Sequence, residues 1–229
     1  MMDNGSEQLT VASTRDGSII QKYNFKNMVI GNLAHDTGTN KTWIGGFDIK
    51  KSQHGVFELE ADGTLSCAVP IDAVVEIQVD AYAPETHTFY LTLRDDDVAS
   101  GASLIQVDVE QKKVLGKKVP LADTVLMMMW SSSTSTMFAW IATEKVAGAL
   151  VTLDVQTGKT LKTIAEFPRL SPNAGSGASS VLDERTGIVY ASLLDVANNP
   201  STPYFVAVNT ATGNHTGSPR AEYALSLAL

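Results

Sequence analysis

Cysteine is nearly absent: Cys67 is the only one in 229 residues. No intramolecular disulfide and no cysteine-based metal cluster can form. Within Thr64-Leu65-Ser66-Cys67-Ala68-Val69 the thiol reads as a small buried apolar group. No leader is expected from Met1-Met2-Asp3-Asn4-Gly5-Ser6-Glu7-Gln8 either, which has neither a basic start nor an apolar centre. The longest purely apolar run is Val125-Leu126-Met127-Met128-Met129-Trp130, far short of the roughly 20 residues that span a bilayer. These absences predict a soluble chain with no membrane partner, intracellular as written. A trimmed leader would instead make it secreted or periplasmic, and the sequons Asn40-Lys41-Thr42 and Asn214-His215-Thr216 would then matter. Positive charge is scarce: 17 Lys+Arg face 25 Asp+Glu, giving −8. Such a surface repels phosphate backbones, so no nucleic-acid partner is expected. Charged residues are only 18% against 44% apolar, which excludes a disordered tail.

What is present is a repeat. Short apolar runs end in an acid four times: Trp43 to Asp48, Phe89 to Asp95, Phe138 to Glu144 and Val189 to Asp195. A second anchor is a tight turn after an apolar strand. Asp62-Gly63, Thr157-Gly158 and Thr212-Gly213 supply the positive-φ residue that a hairpin needs, while Gln111-Lys112-Lys113 is a version without glycine. The third anchor is a closing proline, Pro70, Pro120, Pro168 and Pro219, at intervals of 50, 48 and 51 residues. Proline cannot donate to a ladder, so it marks the end of an edge strand.

The segments between anchors are short, rich in β-branched and aromatic residues, and bounded by Gly, Pro, Asn and Asp. No stretch sustains a 3.6-residue apolar period, and residues 144–150 allow one helical turn at most. The first unit predicts strands over Met28–Ala34, Thr42–Phe47, Val56–Leu59 and Thr64–Val69. Four-stranded antiparallel units of about 50 residues in tandem predict an all-β chain, a single β-propeller domain over 1–229. Its blades are expected at 28–70, 74–120, 124–168 and 177–219. A fifth blade is expected to be shared between the termini, from 222–229 together with the hairpin 8–25. A piece of a larger propeller is the rival reading.

Units such as Val151-Thr152-Leu153-Asp154-Val155-Gln156-Thr157-Gly158 and Val206-Ala207-Val208-Asn209-Thr210-Ala211-Thr212-Gly213 resemble the quinoprotein-like and YVTN-type β-propeller superfamily. The resemblance covers roughly residues 28–219 and implies a fold rather than an activity. Trp-Asp dipeptides, repeated double glycines and tryptophan docking repeats are absent, so no quinone cofactor is implied.

Equivalent positions in a propeller share a face, so Asp48, Asp95, Glu144 and Asp195 are expected around the axis on one side. Oxygen ligands in that arrangement suit a divalent cation such as Ca²⁺. Alternatively, each acid caps its own turn through a local hydrogen bond. The histidines His35, His54, His87 and His215 lack zinc-type spacing. His54 with Asp95 would be a hydrolase pair, but no motif supports it. Met127 and Met129 should face one side of their sheet, and Met128 with Trp130 the other. The expected function is a non-catalytic binding module whose loop face recognises a protein, peptide or glycan. A cation-dependent enzyme resembling lactonase-type propellers is the alternative.

Overall fold

The structure, a computed structural model, describes residues 6–13, 15–72, 75–172, 180–196 and 202–219. The chain opens with a hairpin, β1 (Ser6–Ala12) and β2 (Ile19–Lys26). The first blade holds β3 (Met28–Asp36), β4 (Lys41–Asp48), β5 (Gln53–Leu59) and β6 (Leu65–Ile71). The second holds β7 (Val75–Ala83), β8 (Thr88–Arg94), β9 (Ala102–Asp108) and β10 (Lys113–Pro120). The third holds β11 (Thr124–Ser131), β12 (Thr136–Ala142), β13 (Gly148–Asp154) and β14 (Lys159–Phe167). In the fourth, β15 (Leu170–Ser171) and β16 (Ser180–Asp183) pair with the two ends of β17 (Ile188–Asp195). The sheet continues through β18 (Thr202–Asn209) and β19 (His215–Pro219).

Each blade is an antiparallel meander in sequence order. The first strands β3, β7, β11 and β16 lie against one another from blade to blade and are innermost. Three of them bulge: β3 between Ile30 and Leu33, β7 between Glu76 and Asp80, and β11 between Val125 and Met127. A bulge increases local twist, which suits strands crowded at an axis. The only helical turn among the described residues is Pro84–Thr86, not the 144–150 stretch. No helix among them is long and apolar enough to cross a membrane.

Period-two alternation sends each strand's apolar residues to two different cores. Phe89, Leu91 and Leu93 of β8 pack with Trp43, Val56 and Val69 of the first blade. Tyr90 of the same strand faces Met128, Met137 and Val151 of the third blade. In β12, Met137, Ala139 and Ile141 join that core. Phe138 and Trp140 turn to Val189, Leu193 and Val206 of the fourth blade. The methionine run splits as the alternation requires, with Met128 and Trp130 in one core and Met127 and Met129 in the next.

Four blades are present among the described residues, as is the hairpin expected at 8–25. Its Tyr23 and Phe25 pack on Met28 and Phe57 of the first blade, where a further blade would sit. The strand expected at 222–229, and with it the shared fifth blade, lies outside the described residues.

The Thr-Gly turns have a common chemistry, shared with the turn at 183–187 and not with Asp62-Gly63. In Asp154-Val155-Gln156-Thr157-Gly158 the Asp154 carboxylate accepts from Gln156 N–H and the Thr157 hydroxyl. Gly158 N–H then donates to Asp154 O, with φ at +69°. Asp183 to Gly187 repeats every one of these bonds, and Asn209 to Gly213 repeats them with an amide in place of the carboxylate. In the version without glycine, Lys112 takes the left-handed conformation at φ 55°.

Candidate functional site

Asp48, Asp95, Glu144 and Asp195 each find a separate environment. Asp48 Oδ1 accepts from Lys51 N–H at 3.0 Å, and Lys51 Nζ lies 3.4 Å from Oδ2. Asp95 is buried, accepts from the Ser103 hydroxyl at 2.6 Å and pairs with Lys118 Nζ at 2.7 Å. The Lys118 ammonium, then the Ser103 hydroxyl, hold its carboxyl below the usual range. Asp195 is buried and pairs with Arg169 Nη2 at 2.8 Å. Glu144 is exposed, and the capping position in its blade belongs to Thr143, whose hydroxyl accepts from Lys145 and Val146 N–H. Among the described residues no group of three or more His, Cys, Asp or Glu is gathered that could hold a metal ion, and these four acids do not form one. His54 stacks on Phe47 at 4.3 Å, and Asp95 is taken by its own blade.

The concentrated polar chemistry lies on the opposite face, where the β3–β4, β7–β8, β9–β10 and β11–β12 turns gather. There a cleft of about 140 Å³ opens between the first and second blades. Asp36 ends β3 and is buried at its base. Its Oδ1 accepts from Gly38 N–H at 2.8 Å and Thr39 N–H at 3.2 Å. Its Oδ2 accepts from the Tyr82 hydroxyl at 3.0 Å, and His87 Nδ1 lies 3.3 Å away. His87 Nδ1 is also 3.3 Å from the Tyr82 hydroxyl, and Nε2 is 3.9 Å from Glu110. Lys41 sits over the Trp43 ring, 5.2 Å from its centroid, and Lys112 completes the rim. Trp43 is buried, and its indole N–H has no hydrogen-bond partner among the described residues.

Burial alone would raise the Asp36 carboxyl. The Thr39 hydroxyl, the Tyr82 hydroxyl and the two backbone N–H groups outweigh it and hold the group at about 2. Burial, then the Asp36 hydrogen bond and charge, push the Tyr82 phenol well above its ordinary value, so it stays protonated at neutral pH. A depressed carboxyl contributes stability above its unfolded value near 4 and loses it as pH falls toward 2. Urea denaturation between pH 5 and pH 2 is therefore expected to show acid destabilisation that is shallower in Asp36→Asn. An identical pH slope in both proteins would contradict this placement.

The same face carries a chain of carboxylate clasps between blades. Asp36 of the first blade is bound by Tyr82 and His87 of the second. Glu85 of the second accepts from Trp130 Nε1 at 2.5 Å and the Ser132 hydroxyl at 3.0 Å, both in the third. Ser132 and Ser133 N–H donate in turn to Glu184 of the fourth, each at 2.9 Å. Of these clasps the Tyr82–Asp36 bond is the part-buried one, where a hydrogen bond to a charged group is worth about 1.5–3 kcal/mol, while the Glu85 and Glu184 bonds lie exposed.

His35-Asp36 and His87 were recognisable in sequence only as residues away from the acid face. Their convergence needs the blade-to-blade approach that places Asp36 against Tyr82, 46 residues on. The one local hint is Pro84-Glu85-Thr86-His87, a tight turn whose left-handed His87 (φ 49°) turns its ring back toward Tyr82.

No family model matches the sequence, and no curated protein matches it. Solved β-propellers are similar in fold. TolB from Acinetobacter baumannii has a TM-score of 0.64 at 13% identity, covering 92% of this chain and 48% of its own. The chain thus spans about half the length of that protein. A chain of the nidogen/laminin complex has a TM-score of 0.55 at 12% identity, covering 92% of both. A 6-phosphogluconolactonase candidate from Bacteroides uniformis has a TM-score of 0.50 at 13% identity, covering 93% of this chain and 64% of its own. At these identities the likeness is one of fold.

Proposed function

Because the chain is a β-propeller, we propose that it is a non-catalytic binding module. It takes a protein, peptide or glycan group at the cleft between the first and second blades. The observation that carries this reading is how the cleft's polar groups are committed. Asp36 is saturated by hydrogen bonds, and Tyr82 is held as a neutral phenol against it. The Thr39 hydroxyl is spent on Asp36, and among the described residues no Ser or Cys lines the cleft. A nucleophile with a free base, which covalent catalysis needs, is missing from that lining. Lys41 is paired with Glu58 at 2.8 Å, while at the rim Lys112 and His87 offer donors and Glu110 offers an acceptor, the kind of polar group that orients a bound ligand. The cation-dependent lactonase reading has less to stand on, since Asp48, Asp95 and Asp195 each have a cationic partner nearby.

Saturation-transfer NMR with a panel of free monosaccharides and blocked tripeptides tests the proposal. At least one probe class is expected to bind, with the signal lost in a His87→Ala, Lys112→Ala double variant. Binding by none of the probes would overturn it, as would cation-dependent opening of glucono-δ-lactone that Asp95→Asn abolishes.

A further inference from the structure

The molecule is acidic, yet four of its 17 basic residues fall within seven positions: Lys112, Lys113, Lys117 and Lys118. Lys112 precedes β10 and the other three lie on it; β10 is the outermost strand of the second blade and is exposed along most of its length. One edge of β10 is bonded to β9, and its other edge has no strand partner among the described residues. Between Leu115 and Val119 the register with β9 shifts, so Gly116 to Lys118 leave the ladder. Gly116 has φ +63° and open space around it. Beside this bulge lies a groove of about 490 Å³ whose lining includes Leu115, Lys117, Lys118 and Val119, with Gln156 and Thr157 of the third blade.

Of the two lysines that line the groove, Lys118 is committed to Asp95 and Lys117 is not. Lys113 and Lys117 make no ion pair with another described residue, whereas Lys112 belongs to the cleft. Lysines and a bulge are a known guard on an edge strand, because a second copy of the same edge would bring lysine against lysine. The lysine part of that guard rejects like charge only. To a strand of opposite sign the edge offers backbone groups without a strand partner, the Leu115 and Val119 side chains in the groove lining, and the Lys113 and Lys117 ammonium groups.

We infer that the β10 edge and its groove dock an extended acidic peptide segment by adding it as a strand to the second blade. Main-chain hydrogen bonds supply affinity in this mode, and side-chain contacts supply the choice of partner. Lysine charges on an exposed edge act mainly on encounter and selectivity, so binding weakens as salt is raised. This surface is separate from the cleft, and its occupancy does not depend on the cleft's ligand.

Fluorescence anisotropy of the whole chain with a labelled octapeptide alternating Asp and Val tests the inference. The Asp peptide is expected to bind, with affinity falling on added salt and by roughly tenfold or more in Lys113→Glu, Lys117→Glu. Hydrogen exchange should show new protection centred on Gly116 to Lys118. The milder pair Lys113→Gln, Lys117→Gln guards against misfolding and should show an intermediate loss. Three results would each overturn the inference: equal binding of an Asn-Val peptide, indifference to charge reversal, or protection on another blade's edge. Tighter binding of a single-stranded oligonucleotide than of the acidic peptide would also overturn it.

Discussion

Replacing Trp140 with alanine is expected to lower the unfolding free energy by about 3–5 kcal/mol. Trp140 is fully buried between the third and fourth blades, against Phe167, Val189 and Leu193. Its indole N–H donates to the Ser180 hydroxyl of the neighbouring blade at 3.0 Å. The truncation therefore opens a cavity and removes the indole donor, leaving the Ser180 hydroxyl with the Tyr190 carbonyl and the Met129 sulfur. A chain of this size loses about 2–4 °C in melting temperature per kcal/mol, so a drop of about 6 °C or more should appear in a thermal scan. Leu161→Ala is the control: that side chain is 67% exposed and should change stability by less than about 0.5 kcal/mol. Equal losses in the two variants would mean that this interface does not carry the stability assigned to it.

Gly158→Ala is the second large effect, at about 3 kcal/mol. Gly158 has φ +69°, a left-handed conformation that costs an L-residue about 1–2 kcal/mol. A Cβ there would also fall on the Pro120 carbonyl oxygen, which belongs to the end of the second blade's outer strand. The Gly158 carbonyl accepts from Ala122 N–H, so the turn cannot swing away without losing that bond. Overpacking of this kind adds about 1–3 kcal/mol. Gly101→Ala separates the two costs. Gly101 has a similar φ of +75°, but an added methyl would meet nothing within 4 Å, so only the conformational part applies. Chemical denaturation of both variants should rank Gly158→Ala clearly below Gly101→Ala, and the reverse order would contradict the close approach.

The strands and turns were legible because they depend on near neighbours in sequence. Val151 to Gly158 announces its hairpin through a carboxylate, a hydroxyl and a glycine at fixed spacing, and the structure uses each in that turn. The acids at the ends of the second strands show where such reading stops. Their spacing marks a common register, but the residues that meet them are set by three-dimensional neighbours. Lys118 lies 23 residues beyond Asp95, and Arg169 lies 26 before Asp195. Glu144 shows a subtler failure. A one-residue offset gives its role to Thr143 and leaves the acid in solvent. The cleft was illegible for a different reason. Asp36, Tyr82 and Trp43 carry no motif, and only the apposition of two sheets makes them one site.

Each apolar core between blades belongs to two neighbouring sheets and none to a single sheet, and this constrains how the chain matures during synthesis. The first blade's Trp43 waits for Val107, 64 residues later, before its side of the sheet is covered. At elongation rates of about 5–20 residues per second that is a delay of roughly 3–13 s. During it, a completed meander holds its backbone bonds but leaves one greasy face uncovered. The nascent chain therefore always trails one unfinished surface behind the ribosome. Protection from aggregation must come from whatever shields that surface until the next sheet arrives.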